Sequence, residues 1–399
     1  MLHKKLMQWA SKINQNTDIQ ARFVLWDGQH LDFGQFAAPP VTLHIKDPSF
    51  IADLLSPSMS KLGEAYVRGK VDFEGKLNDI INLAFSLVRH MGHGKLHFFS
   101  KYFPHTRQSD LKSIQFHYDV SNEFYKMWLD PNMVYSCAYF EQGNETLEAA
   151  QLKKIDHILT KIQLQPNQTL LDIGCGWGAL VIRAAQKFDA KCVGITLSEK
   201  QYALANERVK AAGLQDRVEI RLQDYRDIKG QFDRITSVGM FEHVGRKQLA
   251  HYFRIIHDLL KEDGIVMNHG ITSVSTDMAD TNLGAGDFIN RYIFPNGELP
   301  HVSEAISTMQ QGGLEVFDVE NLRRHYARTL SIWVDNFEKN SIEVQQHIEP
   351  ERYRAWRLYL GGCAYAFQHD QVSIYQLVSH KAGRLADNMP WSRRYMYHL

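Results

Sequence analysis

The densest chemical signal in this chain is Asp172-Ile173-Gly174-Cys175-Gly176-Trp177-Gly178, a glycine-rich loop directly after a short apolar run, Thr169 to Ile173. Residues without side chains let the backbone approach a ligand closely, and an apolar run of this length suits a buried parallel strand. The loop therefore reads as a cofactor-binding turn between strand and helix. Gly174, Gly176 and Ala179 also satisfy the dinucleotide pattern GxGxxA, which would bring hydride chemistry with NAD. A dinucleotide site usually places an acidic residue on the ribose hydroxyl at the end of the second strand, but here the sequence reads Gly194-Ile195-Thr196-Leu197-Ser198. NAD is thereby disfavoured.

Such a loop works only if a sheet and its helices hold it. From Thr146 the chain alternates helix and strand: Leu152, Ile155, Leu159 and Ile162 fall at helical spacing before Pro166, and the strand Thr169 to Ile173 follows. Ser198 and Gln201 have capping-box spacing and open a helix that Gly213 closes. Strands are predicted at Arg217 to Leu222, Phe232 to Val238 and Gly264 to His269, with a helix over Gln248 to Leu260 between the last two. This alternation predicts an α/β fold with a doubly wound sheet. Residues 1 to 105 mix alternating runs (Ala21 to Trp26, Pro40 to Ile45) with helical patterns at Pro48 to Leu55 and Leu77 to Val88, predicting a small N-terminal α+β domain. Gly92 to Ser109 is the expected linker, and 106 to 399 the catalytic domain. At the N-terminus, Leu2, Leu6, Met7, Trp9, Ala10 and Ile13 among lysines suggest a weak interfacial helix.

Composition bounds the partners. In 399 residues, 45 Lys and Arg balance 45 Asp and Glu, so no net field draws the molecule to nucleic acid, and attraction to an anionic surface must come from local patches. Cys137, Cys175, Cys192 and Cys363 form no CxxC pair and no metal-type spacing with histidine, so the sequence indicates neither a metal site nor a disulfide framework, and a reducing cytoplasm fits. No stretch approaches the ~20 apolar residues of a membrane span. Contact with lipid would therefore be peripheral.

With Asp172 in front of its glycines, the loop has the form DxGxGxG, which resembles the first motif of class I methyltransferases. There the carboxylate lies near the amino-acid end of S-adenosylmethionine. Gln223-Asp224-Tyr225, ending the third strand, resembles the position where an acidic residue meets the adenine amino group and an aromatic ring stacks on the base. Further segments narrow the class: Gln115 to Tyr125 (QFHYDVSNEFY), Val134 to Phe140 (VYSCAYF), Ser237 to Gly245 (SVGMFEHVG) and Tyr292 to Gly297 (YIFPNG). Over about residues 60 to 399 they resemble the cyclopropane fatty-acid synthases, bacterial enzymes related to mycolic-acid methyltransferases. The resemblance implies that Tyr135 and Ser136 lie beside the methionine part of the cofactor, Gly174 and Gly176 beneath it, and Thr196 and Gln201 near the ribose. It also implies a bound bicarbonate as catalytic base, held by Cys137, Glu242, His269 and Tyr326, with the backbone at Ile271 as a fifth contact. Gly270, after the histidine, departs from the family pattern and bears on the path of that backbone contact.

The implied reaction explains such a site. An alkene is a weak nucleophile that takes a methyl group from the sulfonium and becomes a carbocation, from which a proton must be removed; a replaceable anion does this without the risk that a nearby carboxylate is itself methylated. The implied substrate is an unsaturated phospholipid acyl chain in a membrane, met from the cytoplasmic, inner face. Phe116, Tyr118, Phe124, Tyr125, Trp128, Tyr135, Tyr139 and Phe140, with Met127 and Met133, offer a lining for that chain, which Phe288, Tyr292, Phe294 and Trp333 would complete, although core packing explains several of them equally well. Arg323, Arg324, Arg328, Arg352, Arg354, Arg357, Arg393 and Arg394 are candidate head-group cations. The N-terminal domain is expected to aid docking and lipid access or to support a homodimer. Three alternatives stand beside this reading: a related methyltransferase acting on a small amine, an enzyme that leaves a methyl or methylene branch on lipid, and a lipid-binding protein without catalysis.

Overall fold

The computed structural model describes residues 2–91, 120–276, 285–295, 297–383 and 389–397. The expected linker from Gly92 to Ser109, the segment Gln115 to Asp119 with Phe116 and Tyr118, and Asn296 lie outside the described residues.

The N-terminal unit is built on four strands, β1 (Ala21–Val24), β2 (His30–Phe33), β3 (Val41–Ile45) and β4 (Val71–Gly75), in the order β2-β1-β3-β4. Alternation decides which face is buried: Val41, Leu43 and Ile45 of β3 point into the core, as do Ala21 and Phe23 of β1. The helix Leu2–Asn16 forms as its periodicity suggests, but its apolar face is already occupied. Leu6, Trp9, Ala10 and Ile13 are buried in the unit's core, with the Trp9 ring 6.0 Å from Phe23 and 5.7 Å from Phe33. An interfacial helix would have to leave that core, so the structure replaces the membrane reading of this segment with a packing one. Of this apolar set, Met7 is exposed.

The larger unit carries seven strands, β5 (Thr169–Ile173), β6 (Lys191–Thr196), β7 (Val218–Leu222), β8 (Phe232–Val238), β9 (Leu260–Ser273), β10 (Leu314–Asn321) and β11 (Val372–Lys381), in the order β10-β11-β9-β8-β5-β6-β7. Strands β5 to β9 run parallel, and β11 is antiparallel to both β9 and β10. The expected strands appear with small shifts, the main one being that Gly264 to His269 is the middle of a strand continuing to Ser273. Caps set the helices: Thr146 accepts from the Ala149 amide to start the helix Leu147–Lys161, and Ser198 from the Gln201 amide to start Glu199–Ala211. Strand order reverses at β5, which pairs with both β6 and β8, and in such sheets ligands bind at the carboxyl end of that switch point. The glycine loop sits there.

Because Trp9 fills the N-terminal core, Trp9→Ala should destabilise that unit by about 3 to 5 kcal/mol. Urea unfolding followed by circular dichroism measures this. An unchanged transition would show that the helix face is not packed as described.

Candidate active site

At the switch point, Gly174 and Gly176 adopt φ of 82° and 53°, a left-handed region open to glycine and strained for most side chains. Where a side chain of Gly176 would stand there is open space, so the bare backbone faces the pocket and fits a ligand lying over the loop. Gly194 on β6 is bare for a different reason: a Cβ there would meet the Cys175 side chain at 2.9 Å. Asp172 is buried and accepts from the Thr236 hydroxyl at 2.7 Å, and burial raises its pKa to about 6. Thr196 donates its hydroxyl to the side-chain oxygen Oε1 of Gln201 at 2.8 Å. Asp224 follows β7 and caps the turn Tyr225–Asp227; Arg226 donates to both its oxygens and lies over the Tyr225 ring at 5.3 Å. A carboxylate so engaged keeps further acceptor sites for an adenine amino group.

Tyr135 and Ser136 come to the same pocket on an irregular segment held by two side chains that the sequence reading missed. Gln151 donates to the carbonyls of Val134 (3.2 Å) and Ser136 (2.8 Å), and Lys154 donates to the Ser136 hydroxyl at 2.6 Å. Burial lowers the Lys154 pKa to about 8. The available signal was a polar stripe, Gln151, Lys154 and Lys161, at helical spacing on the buried face of the helix Leu147–Lys161. Tyr135, Ser136, Asp172, Gly174, Gly176, Thr196, Gln201, Gln223, Asp224 and Tyr225 all line one pocket.

Beside it lies a cavity of about 1610 Å³ that shares Tyr135, Ser136, Gly239 and His243 with that pocket. Cys137, Glu242, His269, Ile271 and Tyr326 line this cavity. Glu242 stands on the turn Phe241–His243 after β8, where its Oε1 accepts from the Ile271 amide at 2.7 Å, while its buried Oε2 has no partner among the described residues. The Ile271 amide thus ties the Glu242 carboxyl to β9. Gly270 makes this arrangement possible, since a Cβ there would overlap the Phe241 ring. His269, on β9, is buried with both ring nitrogens unpartnered among the described residues, and burial holds its pKa well below the usual histidine range. Across the ladder stands Gln376, whose amide is likewise buried without partners there. Burial pushes the Cys137 thiol far up, so it remains neutral, donating to the Ala138 carbonyl at 3.2 Å.

The expected acyl lining divides. Tyr135, Phe288 and Phe294 line the cavity, whereas Phe124, Tyr125, Trp128 and Trp333 pack into the core, as in the Phe124–Trp128 contact at 5.8 Å. Core packing is therefore the correct account of most of that aromatic run. Several proposed head-group arginines hold the structure together instead: Arg354 binds the Tyr66 carbonyl and Asp72, Arg357 both oxygens of Glu338, and Arg323 the Phe367 carbonyl. Arg393 pairs with Asp318, and Arg328 lies over Phe140, while Arg324 and Arg394 are exposed. Exposed cations at the cavity itself are Lys247 and Arg291, the latter also paired with Glu64 at 3.1 Å.

Two measurements test this geometry. Gly176→Val should abolish binding of S-adenosylhomocysteine in calorimetry, because the side chain enters the pocket and φ of 53° strains a branched residue; wild type should bind it and not NAD, and tight NAD binding would overturn the assignment. The second concerns Glu242, whose pKa burial raises to about 7 from an ordinary 4.5. Between those values the native state holds a proton that the unfolded chain has released, so this group's contribution is full below pH 4.5 and is lost as pH rises through about 7. Glu242→Gln should accordingly stabilise the ligand-free protein above pH 7 by about 3 kcal/mol and change little at pH 4. Urea unfolding in carbonate-free buffer decides, and an equal gain at both pH values would refute the burial argument.

Residues 105–377 match the family model described as mycolic acid cyclopropane synthetase, and residues 8–94 match one described as a domain of unknown function. A Pseudomonas putida protein named "Probable fatty acid methyltransferase" is 44% identical, covering 96% of this chain and 98% of its own. The Escherichia coli cyclopropane-fatty-acyl-phospholipid synthase is 36% identical over 85% of this chain and 87% of its own. Among solved structures, the mycolic acid cyclopropane synthase CmaA1 complexed with SAH and CTAB superposes with a TM-score of 0.66 at 35% identity, covering 71% of this chain and 100% of that one. Coclaurine N-methyltransferase, at 21% identity and a TM-score of 0.63, shares the fold. A class I sheet with its cofactor pocket at the switch point and a large cavity beside it agrees with these matches: the chain is an S-adenosylmethionine-dependent methyltransferase and belongs to the mycolic acid cyclopropane synthetase family.

Proposed function

We propose that this chain transfers a methylene unit from S-adenosylmethionine to the cis double bond of unsaturated phospholipid acyl chains, closing a cyclopropane ring, with bicarbonate held as base by Cys137, Glu242, His269, Tyr326 and, through Glu242, Ile271. The observation that carries this reading is a set of buried polar atoms without partners among the described residues, Glu242 Oε2 and both ring nitrogens of His269, on the wall of a cavity that adjoins the cofactor pocket. Polar groups buried without partners are costly, and a small anion with donor and acceptor oxygens fits their demands. When bound, S-adenosylmethionine supplies an electrophilic methyl group and bicarbonate a replaceable proton acceptor. Neutral His269 offers one N–H donor, and Glu242 Oε2 accepts from a hydroxyl. Tyr135, which lines both spaces, offers an aromatic ring that can stabilise a cationic carbon by ~0.5 to 2 kcal/mol.

Among the described residues no helix is long and apolar enough to cross a membrane. The proposed substrate resides in a bilayer, so the enzyme works peripherally, at the inner face, with Lys247 and Arg291 near the head group. The N-terminal unit aids access, by docking or by supporting a homodimer. A second reading, in which the lipid keeps a methyl or methylene branch, is favoured by the fatty acid methyltransferase name of one relative.

Incubation with S-adenosylmethionine and unsaturated phospholipid vesicles, followed by NMR of the acyl chains, separates the products. Ring resonances are expected; vinylic or branched-methyl signals would move the assignment to the second reading, and no lipid product at all would sink both. Rigorous removal of bicarbonate should slow turnover and its return restore it. Glu242→Gln should lower kcat by roughly 10²-fold or more while leaving cofactor affinity near wild type.

A further inference from the structure

The cavity that holds the catalytic residues does not stop at the catalytic domain. Its walls continue along three helices. From Pro350–Gln368 come Leu358, Gly362 and Ala366, spaced by one helical turn; from Leu77–Met91 come Ile80, Ala84 and Leu87; from Met59–Val67 come Met59, Leu62 and Gly63. Beyond them the lining reaches Leu43, Phe50 and Leu54 inside the N-terminal unit. The two units meet firmly beside this passage: Phe85 stacks on Tyr365 at 4.0 Å, and a Cβ on Gly361 would meet Leu77 at 2.9 Å. Gly361 is therefore bare because a neighbouring helix packs on it. Gly362 has no such reason, since a Cβ there would meet nothing within 4 Å. A glycine inside a helix costs about 1 kcal/mol relative to alanine, so open space in front of one marks volume that is kept clear.

We propose that the N-terminal unit forms the far end of the acyl-chain site, receiving the methyl-terminal part of the chain, and so sets which chain lengths are modified. This rests on the lipid reading above. The lining has two chemistries. Lys247, Gln248 and Arg291 are exposed and polar, whereas Leu43, Phe50, Leu54 and Ile80 are apolar and lie in the N-terminal unit. A head group cannot enter the second region without losing its hydration, and an alkyl terminus gains nothing at the first. A chain with its head group at the exposed edge and its double bond at Glu242 and His269 therefore leaves its tail to run past Ala84 and Gly362. About 1610 Å³ also exceeds the roughly 300 to 1,000 Å³ of ordinary small-ligand pockets, as a long flexible chain requires.

The test holds the alkene fixed and varies the tail. Mixed vesicles of phosphatidylglycerol carrying cis-9 chains of fourteen and eighteen carbons are offered to the full-length protein, and the ratio of eighteen- to fourteen-carbon product is measured. Gly362→Leu and Ala84→Leu narrow the passage from opposite sides, and each should lower that ratio at least tenfold relative to wild type. S-adenosylhomocysteine binding reports folding, and Gly362→Ala, which adds one methyl into open space and removes a helix-interior glycine, should lower the ratio less if the larger variants fail to fold. Unchanged ratios in variants that bind S-adenosylhomocysteine normally would overturn the proposal. Wild-type enzyme that modified neither lipid would instead defeat the lipid reading itself.

Discussion

The candidate site answers to one constraint: a carboxyl group and an imidazole are buried beside a largely apolar cavity with hydrogen-bonding capacity left over among the described residues. Each buried polar atom left unsatisfied costs on the order of 1 to 3 kcal/mol. The fold tolerates the cost only because neighbouring contacts fix the two side chains. Glu242 is pinned at Oε1 by the Ile271 amide, and its backbone carbonyl accepts from the Glu298 amide at 3.1 Å. His269 lies on β9, paired on one side with β8 and on the other with β11. The backbone that carries each group is thereby held by a strand or a turn.

Small residues make that geometry possible. Gly270 leaves room for Phe241, and Phe241 packs in a core with Tyr252 and Val266, so the turn bearing Glu242 is held against β9. What looks in sequence like a departure from a family pattern is, in three dimensions, the space that a neighbouring ring needs. The same logic separates the other glycines: Gly194 yields to Cys175, Gly361 to Leu77, and Gly176 and Gly362 face open volume. Sequence treats them all as one residue type.

That difference explains how much was legible beforehand. The cofactor loop could be read because positive φ and backbone approach impose glycine at fixed offsets from a strand, and the strands because apolar runs and caps are local. The candidate catalytic set could be proposed only through family resemblance, because Glu242, His269 and Tyr326 come from separate elements that packing brings to one cavity. The aromatic run from Phe124 to Phe140 misled, since a core and a tunnel demand the same side chains; only burial and contacts distinguish them. The contribution of the N-terminal unit to the cavity wall was invisible for a related reason. Ala84 and Gly362 are far apart in sequence and carry no pattern of their own.

The polar stripe on the helix Leu147–Lys161 links these observations. Lys161 pairs with Asp318 at 3.2 Å and also with Glu320, and His157 contacts Glu320 at 2.9 Å, all at or near the buried face against β10. Ion pairs in such places are poor sources of net stability, because desolvation offsets most of their attraction. Their consequence is geometric. Charges fixed on β10 leave the helix few alternative registers, and a register slip would bury Lys161 against apolar neighbours without its carboxylates. On the same helix, two turns earlier, Lys154 holds Ser136, and Gln151 holds the carbonyls of Val134 and Ser136. The position of Tyr135 and Ser136, where cofactor pocket and cavity meet, is thus set from the far end of a helix by charges that line neither space.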